Sequence, residues 1–444
     1  MSNGINGLAM LSTPQDARKE SRVPGPIGSG LRQGYCKRKR AGRQKGGRWD
    51  MVASREPNAS VVISPSVVFN CPGLMRILQV LEFNEFNTGS VHQMFQAATG
   101  LRERGHEVMI VSRPGATLQR RAEECGVAFA GLPLRSAFDL PSILTMRKLI
   151  AERRPDVIHV HKGVAHGVAL AATIGRPVGA FVVNRGVSFP LDRWNRGKYR
   201  TSRVDRVVTV CQQIKDVIVE SGKLPPEKVQ VVYAGTDVRQ FDPVRWDAGA
   251  FRAEKGIASD RFLLAQVGVR DWKGWKELID SASDLVARHP KLHVALIGCR
   301  NQREADAVLT YSGARGMGKH VTPIEYRADM PNVFASCDLV VDASWAGTGI
   351  TGTIREAMAM AKPVIATNAG GNRELVSTPE VGWLVPMKDR AALTSAIQTV
   401  IEDRGRAERV ARNARRHVFT GFSKDLRIER LEELYQRILD GKAR

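Results

Sequence analysis

The chain has 444 residues, of which 43% are apolar and 25% charged. This length exceeds the usual size of one hydrophobic core, so the composition predicts two globular domains. The six cysteines are scattered without a C-x-x-C pair, which excludes a zinc finger or a disulfide framework and favours a reducing, cytoplasmic location. No uninterrupted apolar run of roughly eighteen residues is present to form a spanning helix.

The formal net charge is +22, with +8 on residues 1–74 and +14 on the remainder. A basic balance indicates nucleic acid, an anionic membrane surface or phosphorylated ligands as partners. No nucleic-acid-binding motif accompanies the charge, so we expect no nucleic-acid partner. Any contact with a membrane is expected to be peripheral and to be made with an anionic surface.

Residues 1–74 differ in composition from the rest of the chain. They are rich in Gly, Ser, Pro and Arg, they contain a dense basic run from Lys37 to Arg48, and they show no sustained period. The segment lacks the apolar stretch of a signal peptide. We therefore expect a basic, disordered extension, with Met75 as an alternative start of the protein.

Short apolar runs alternate with helical segments after Met75. The pattern predicts a strand over 76–81, a Gly-containing turn over 84–90, a helix over 91–104 and a strand over 107–112, then further strands over 157–160, 178–183, 207–210 and 229–233. Alternation of this kind is typical of parallel β-α-β units. It predicts a first Rossmann-like domain over residues 75–245.

The alternation restarts after a polar interval. Strands are predicted over 262–267, 293–297, 321–325, 339–342 and 364–367, with a helix over 274–288. These elements predict a second Rossmann-like domain over 246–425, and a charged helix within 426–444 is expected to cross back to the first domain. The fold class is therefore α/β, with two domains facing a cleft, and ligands should bind beyond the carboxyl ends of the strands.

Two cations follow the first strand of the second domain. Arg270 and Lys273 stand where the mouth of a cleft is expected, and two fixed cations suit a diphosphate whose charge grows as its bond to a sugar breaks. A solvated basic turn explains the same spacing. The residues alone leave both interpretations open.

A Gly- and Thr-rich loop precedes the helix predicted to end near Ala361. Gly349, Ile350, Thr351 and Gly352 would begin this helix, and the free N–H groups there make an anion site. Glu356 lies about one turn inside, where its carboxylate could accept hydrogen bonds from ribose hydroxyls. A helix acid stabilised by the macrodipole is the alternative interpretation of Glu356.

Several segments of the second half, in this order and spacing, resemble glycosyltransferase family 4. They are Arg270-x-Trp-Lys273-Gly274, Glu356-Ala-Met-Ala, Lys362-Pro363-Val-Ile-Ala-Thr367, Gly370-Gly371-Asn-Arg-Glu374 and Gly382-Trp-Leu-Val-Pro386. The resemblance implies a GT-B fold and retaining transfer from a nucleotide-sugar donor without a metal or other cofactor. It assigns Arg270 and Lys273 to catalysis, and Glu356 and residues 349–352 to the donor.

The first half carries further parts of the resemblance. Gly89 and Ser90 lie in a turn similar to the family's glycine turn, which implies donor contacts. His159 and His161 share one face of a strand. The resemblance implies that the terminal histidine of this strand faces the transferred sugar. The two histidines should differ in depth, because His161 stands at the carboxyl end, where the cleft opens, and His159 one step inside the sheet. We therefore assign His161 to the cleft as a catalytic residue and His159 to a structural role. Residues 231–243 resemble the family's interdomain linker, with Ala234 where Asn is usual.

Acceptor contacts are expected in the first domain. Arg185 and the basic stretch 193–206 favour an anionic or lipid-linked acceptor, such as a lipopolysaccharide core or another cell-envelope glycan.

One departure from the family pattern concerns the donor sugar. The family commonly carries a second glutamate upstream of the position of Glu356, and this chain has Thr348 there. The identity of the donor sugar is therefore open. A non-catalytic glycan- or partner-binding protein and a sugar-nucleotide epimerase on the same scaffold remain alternatives. A nicotinamide oxidoreductase is disfavoured because residues 87–90 do not form G-x-G-x-x-G.

The composition of residues 1–74 generates a first prediction. A truncated chain beginning at Met75 should fold and keep full turnover, because the removed segment lacks the apolar pattern needed for a core. Circular dichroism and a turnover assay of both chains test this. A truncated chain that fails to fold would show that the segment is part of the structure.

Overall fold

The computed structural model describes residues 73–86, 88–346 and 349–443. The predicted extension 1–74 lies almost wholly outside the described residues. Within them the chain forms two parallel sheets flanked by helices, which confirms the predicted α/β class with two Rossmann-like domains.

The first domain is built on seven parallel strands in the order β3-β2-β1-β4-β5-β6-β7. The strands are mostly buried apolar runs, as expected for a parallel sheet covered on both faces. Their bounds are β1 Arg76–Val80, β2 Glu107–Ser112, β3 Ala128–Gly131, β4 Val157–Val160, β5 Ala180–Arg185, β6 Arg206–Thr209 and β7 Val229–Val231.

The second domain is built on six parallel strands in the order β10-β9-β8-β11-β12-β13. Their bounds are β8 Phe262–Val267, β9 Leu292–Cys299, β10 Val321–Glu325, β11 Leu339–Asp342, β12 Val364–Thr367 and β13 Trp383–Val385. In both sheets the strand order reverses beside the first strand. Such a reversal leaves a crevice at the carboxyl ends of the strands.

Fifteen α-helices connect and cover the strands in the described chain. They are α1 Gly89–Glu103, α2 Ala116–Glu124, α3 Leu140–Arg153, α4 Gly163–Ala172, α5 Arg193–Arg200, α6 Gln212–Gly222, α7 Ala250–Glu254, α8 Trp275–Ser283, α9 Gln302–Gly313, α10 Met330–Ser336, α11 Gly352–Ala359, α12 Asn372–Leu375, α13 Arg390–Glu402, α14 Arg404–Gly421 and α15 Lys424–Ala443.

Strands β3 and β13 were not predicted as strands. Each is short and only partly buried, so neither shows the continuous apolar run that marks a central strand. Strand β5 begins at Ala180 instead of Val178. Gly179 lies against the backbone oxygen of Asp156, where an added Cβ would come within 2.5 Å, so this glycine marks a close approach before the strand starts.

Helix α15 packs against the first domain. Gly100 of α1 leaves space for Ile428, whose side chain would clash with any Cβ there. Leu431 and Tyr435 are fully buried in the same core. The last helix therefore belongs to the packing of the first sheet although it follows the second domain in sequence.

Two chain segments cross side by side between the domains. Thr236 N–H donates to Phe422 O at 2.9 Å, and Lys424 N–H donates to Thr236 O at 2.8 Å. The Lys424 ammonium pairs with Asp237 at 2.7 Å. Because both crossings are hydrogen-bonded to each other, the outgoing and returning segments form one short ribbon.

Candidate active site

Lys273 lies just beyond the carboxyl end of β8 and faces a buried carboxylate. Its Nζ is 3.8 Å from Oδ1 of Asp342, the last residue of β11. Asp342 also accepts hydrogen bonds from Ser344 Oγ at 2.5 Å, Thr351 Oγ1 at 2.8 Å and Asn372 Nδ2 at 3.1 Å. Burial would raise the pKa of Asp342, but Lys273 and these bonds outweigh it and lower that pKa. The ionised Asp342 thus holds Lys273 at the carboxyl edge of the second sheet.

Arg270 and Lys273 occupy different environments. Arg270 is exposed, whereas the Lys273 side chain is mostly covered. The chain turns sharply at Gly274, which has φ +70° and lies so close to Ala343 O that an added Cβ would clash. This approach joins the Lys273 turn to the end of β11. Lys273 is therefore held in one position by its neighbours, whereas the Arg270 side chain is exposed to solvent.

The loop before α11 places its predicted donor residues against the first domain. An added Cβ at Gly349 would lie 2.9 Å from Val210 and 3.2 Å from Gly186 O, so this contact requires glycine. Ile350 is buried, and Thr351 is held by its bond to Asp342. Thr348, at the position of the family's second glutamate, lies outside the described residues.

Helix α11 begins at Gly352 without a capping side chain. Among the described residues, no side chain bonds to its N-terminal N–H groups as a cap, and its first turn contains no acid. An uncapped helix start has orphan N–H donors and a partial positive charge. Together with Lys273 it can bind an anion at this end of the second sheet.

Glu356 is partly buried one turn inside α11. An added Cβ at Gly352 would lie 3.8 Å from its Oε1, so the carboxylate points back toward the helix start. Burial raises the pKa of Glu356 to about 7, and Arg355 opposes this rise. The pKa of Tyr326 is raised, mainly by burial and also by the nearby negative charge of Glu356. Tyr326 also donates to Phe86 O of the first domain at 2.7 Å.

The start of α1, in the first domain, carries the other two predicted donor residues. Gly89 is the first residue of α1, and open space surrounds the position of its missing Cβ. Ser90 Oγ lies 3.1 Å from Thr88 Oγ1. Within the described residues, α1 also begins without a side-chain cap. The two predicted donor turns are therefore both uncapped helix starts.

The structure corrects the expected difference in depth between His159 and His161. Their exposures are 0% and 2%, and their rings lie 4.3 Å apart. His161 does follow the last residue of β4, but its Nε2 is 2.6 Å from Gln79 Oε1 and not in the open cleft. His159 Nδ1 is 2.6 Å from Tyr435 Oη. Gln79 on the neighbouring strand β1 thus draws the His161 ring into the sheet.

Both histidines are neutral at ordinary pH. Burial, with a smaller contribution from Arg427, lowers the pKa of His161 to about 3. The pKa of His159 is also well below its usual value because of burial and its neighbours. The catalytic role assigned to His161 stays a prediction.

Arg185 ends β5 and is held locally. Its Nη2 donates to Phe189 O at 2.7 Å, and it also hydrogen-bonds Tyr199. The structure therefore places Arg185 at the carboxyl edge of the first sheet, whereas Lys273 and Glu356 belong to the second domain.

Sequence reasoning gave no role to three side chains that link the domains. Glu374 of α12 accepts from the N–H groups of Gln212 and Gln213 at 2.8 and 3.1 Å, and so caps α6 of the first domain. Gln93 and Arg355 both bond to Gly235. Each is an ordinary helix residue in sequence, and only the tertiary fold brings it to a partner more than a hundred residues away.

Within the described ranges, no group of three or more His, Cys, Asp or Glu side chains could hold a metal ion. In the same part of the chain, no helix combines the length and apolar character needed to cross a membrane.

The raised pKa of Glu356 generates a pH prediction. Its folded-state pKa of about 7 exceeds the ordinary value of 4.5 for a glutamate, so its contribution to stability is present below pH 4.5 and lost as pH rises through 7. Glu356→Gln should therefore raise the melting temperature more at pH 8 than at pH 5. The exposed Glu408→Gln serves as control. Equal effects of Glu356→Gln at both pH values would contradict the burial of an ionisable carboxyl here.

Two family models match the chain on either side of the crossing. The model described as "Glycosyltransferase Family 4" matches residues 88–240, and the model described as "Glycosyl transferases group 1" matches residues 247–417. The first match covers strands β2 to β7 of the first sheet, and the second covers all six strands of the second sheet.

Similar proteins include capsular polysaccharide biosynthesis glycosyltransferase CapM of Staphylococcus aureus, with 26% identity over 76% of this chain and 92% of that protein. A UDP-galactose:GlcNAc-diphosphoundecaprenol galactosyltransferase of Escherichia coli is 22% identical over 67% of this chain and 79% of its own length.

Solved structures share the fold. HepE of Anabaena in complex with UDP aligns with a TM-score of 0.72 and 21% identity over 82% of this chain and all of that one. A glycosyltransferase of Rickettsia africae aligns with a TM-score of 0.76 at 21% identity, covering 84% of this chain and 99% of that one. The paired models, the similar enzymes and the two facing Rossmann-like domains together show that this chain belongs to glycosyltransferase family 4.

Proposed function

We propose that this transferase moves a sugar, with retention of configuration, from a nucleoside diphosphate donor to a lipid-linked or cell-envelope glycan. The observation that carries the proposal is the uncapped start of α11 beside Lys273. Orphan N–H groups and a held ammonium form a site for a diphosphate, whose charge increases as the bond to the sugar breaks.

The transfer exchanges one bond for another on the same face of the sugar. The bond from the anomeric carbon to the diphosphate oxygen breaks, and a bond from that carbon to the acceptor oxygen forms. The acceptor proton passes to the departing diphosphate oxygen. Lys273, the start of α11 and, from its exposed position, Arg270 stabilise the diphosphate, so the proposal requires no metal ion or other cofactor.

Uridine diphosphate is the proposed leaving group. The Escherichia coli relative uses UDP-galactose by name, and HepE is described in complex with UDP. In this chain Glu356 lies one turn from the start of α11, where its carboxylate would accept hydrogen bonds from ribose hydroxyls. Gly89 and Ser90 at the start of α1 would contact the donor from the opposite wall.

The acceptor is proposed to meet the first domain and a membrane surface. Helices α3, α4 and α5 cover one face of the first sheet, and we name their outer surface the basic face. Between residues 135 and 203 seven Lys or Arg side chains are exposed against two exposed acids. Phe138 and Trp194 project from this surface with exposures of 89% and 86%. Exposed aromatic rings among cations fit an anionic lipid surface.

Lys273 and Glu356 should affect different kinetic steps. Lys273→Met should lower kcat by roughly 100-fold, on the order of 3 kcal/mol, because charge on the diphosphate grows toward the transition state. Glu356→Ala should weaken donor binding at least as much as it lowers kcat, since ribose contacts change little during transfer. Steady-state kinetics and calorimetry with UDP measure both effects, and Lys276→Met, at a neighbouring half-buried lysine, is the matched control.

If both variants bind UDP and turn over like the parent, the donor site does not lie at α11. Addition of a metal chelator should leave the parent rate unchanged, and a loss of rate would contradict the metal-free proposal.

Membrane binding by the basic face has its own test. Sedimentation with anionic vesicles should show binding that weakens as salt rises, because each basic residue near the surface contributes roughly 1 kcal/mol. Phe138→Ser with Trp194→Ser should reduce binding severalfold. Phe419→Ser, an exposed phenylalanine on α14 of the second domain, is the control. Equal binding to neutral and anionic vesicles would refute the electrostatic part of the proposal.

A further inference from the structure

The backbone N–H and C=O of one residue, Gly235, are bonded by side chains from both domains. Gln93 Nε2 donates to Gly235 O at 2.9 Å, and Gly235 N–H donates back to Gln93 Oε1 at 2.9 Å. Arg355 Nη2 donates to the same oxygen at 3.0 Å. Gly235 therefore joins a side chain of α1 in the first domain to a side chain of α11 in the second.

The two side chains come from the helices whose starts form the opposite walls of the proposed donor site. Gln93 lies about one turn after Gly89, and Arg355 immediately precedes Glu356. Through Gly235 the start of α1 and the start of α11 are held in a fixed relation. A shift of α1 or α11 relative to the other would break at least one hydrogen bond to the Gly235 backbone.

Arg355 is buried with little freedom to move elsewhere. It is 3% exposed, and its Nε also donates to Thr236 Oγ1 at 2.6 Å. Arg427 of α15, 2% exposed, donates to Val232 O and Tyr233 O of the same segment. A buried guanidinium is costly to desolvate, so its bonds to this segment cannot be lost without a large penalty.

Gly235 itself has no room for a side chain. An added Cβ would lie 2.8 Å from Lys424 Cα and 2.8 Å from Ser423 O, which are backbone atoms of the returning segment. We call the contacts that join Gln93, Gly235 and Arg355 the junction. The returning segment covers its remaining side. Because the covering atoms belong to the backbone, a side chain at Gly235 could be accommodated only by a shift of the chain.

We propose that Gln93 and Arg355 are positioning residues that align the two halves of the donor site through the backbone of Gly235. Neither touches the reacting atoms. The inference rests on the proposed function, because alignment matters to catalysis only if the donor lies between α1 and α11.

The kinetic test uses the full-length chain. Gln93→Leu and Arg355→Met should each lower kcat by roughly 10- to 100-fold, the range expected for misplaced reactants, while the dissociation constant of UDP changes less than twofold. The double variant should be no slower than the slower single variant, because both changes break the same junction. Arg355→Lys keeps a hydrogen-bond donor at this position, so its kcat should be about tenfold higher than that of Arg355→Met.

The matched control is Gln96→Leu. Gln96 contacts Gln93 on the same helix at 3.2 Å without bonding to Gly235, so this variant should keep the parent kcat. All assays are run well below the measured melting temperatures. Folded Gln93→Leu and Arg355→Met variants with the parent kcat, or a double variant whose loss is the product of the single losses, would overturn the inference.

Hydrogen exchange separates a failure of this inference from a failure of the proposed function. Arg355→Met should speed amide exchange in residues 89–95 of the other domain, and Gln96→Leu should leave the exchange of Gly235 unchanged. If the parent transfers no sugar from any donor, the proposed function fails and the exchange result alone decides the junction. If Arg355→Met does not fold, faster exchange in residues 352–357 of Gln93→Leu supports the junction. Unchanged exchange across the domains overturns it.

Discussion

Two chain segments that cross between the domains, paired side by side in parallel, constrain the rest of this molecule. The chain leaves the first domain at Gly235–Asp237 and returns at Phe422–Lys424, and the two segments are hydrogen-bonded to each other. Helix α15 then packs into the core of the first domain, so two paired chain segments connect the domains. Gln93 and Arg355 are both bonded to Gly235 within this connection.

The electrostatics of the cleft follow from where the strands end. Asp342 closes β11 and stays ionised because Lys273, Ser344, Thr351 and Asn372 surround it. The same contacts fix Lys273 and the loop leading into α11, so the proposed anion site is organised before any ligand binds. Preorganised charges of this kind stabilise developing charge without the cost of reorganisation. Glu356 is different, since burial raises its pKa to about 7 and its ionised form requires a partner.

Much of the architecture could be predicted from sequence, because buried parallel strands are continuous apolar runs. The runs 76–81 and 339–342 correspond to β1 and β11. Strand β3, with only one buried residue, carried no such signal. At the site, Lys273 and the start of α11 follow predicted strands and could be placed. The burial of His161 could not, because it depends on Gln79, a residue 82 positions away that pairs through the sheet. The same holds for Arg355, whose partner Gly235 is 120 positions away.

The proposed transfer requires a nucleoside diphosphate to bind at the start of α11 between the two domains. An experimental structure of the full-length protein with UDP would test this binding site. We expect the diphosphate within hydrogen-bonding distance of the first N–H groups of α11 and of Lys273 Nζ, with the ribose beside Glu356. UDP bound outside the cleft, or with its diphosphate away from both Lys273 and α11, would contradict this expectation.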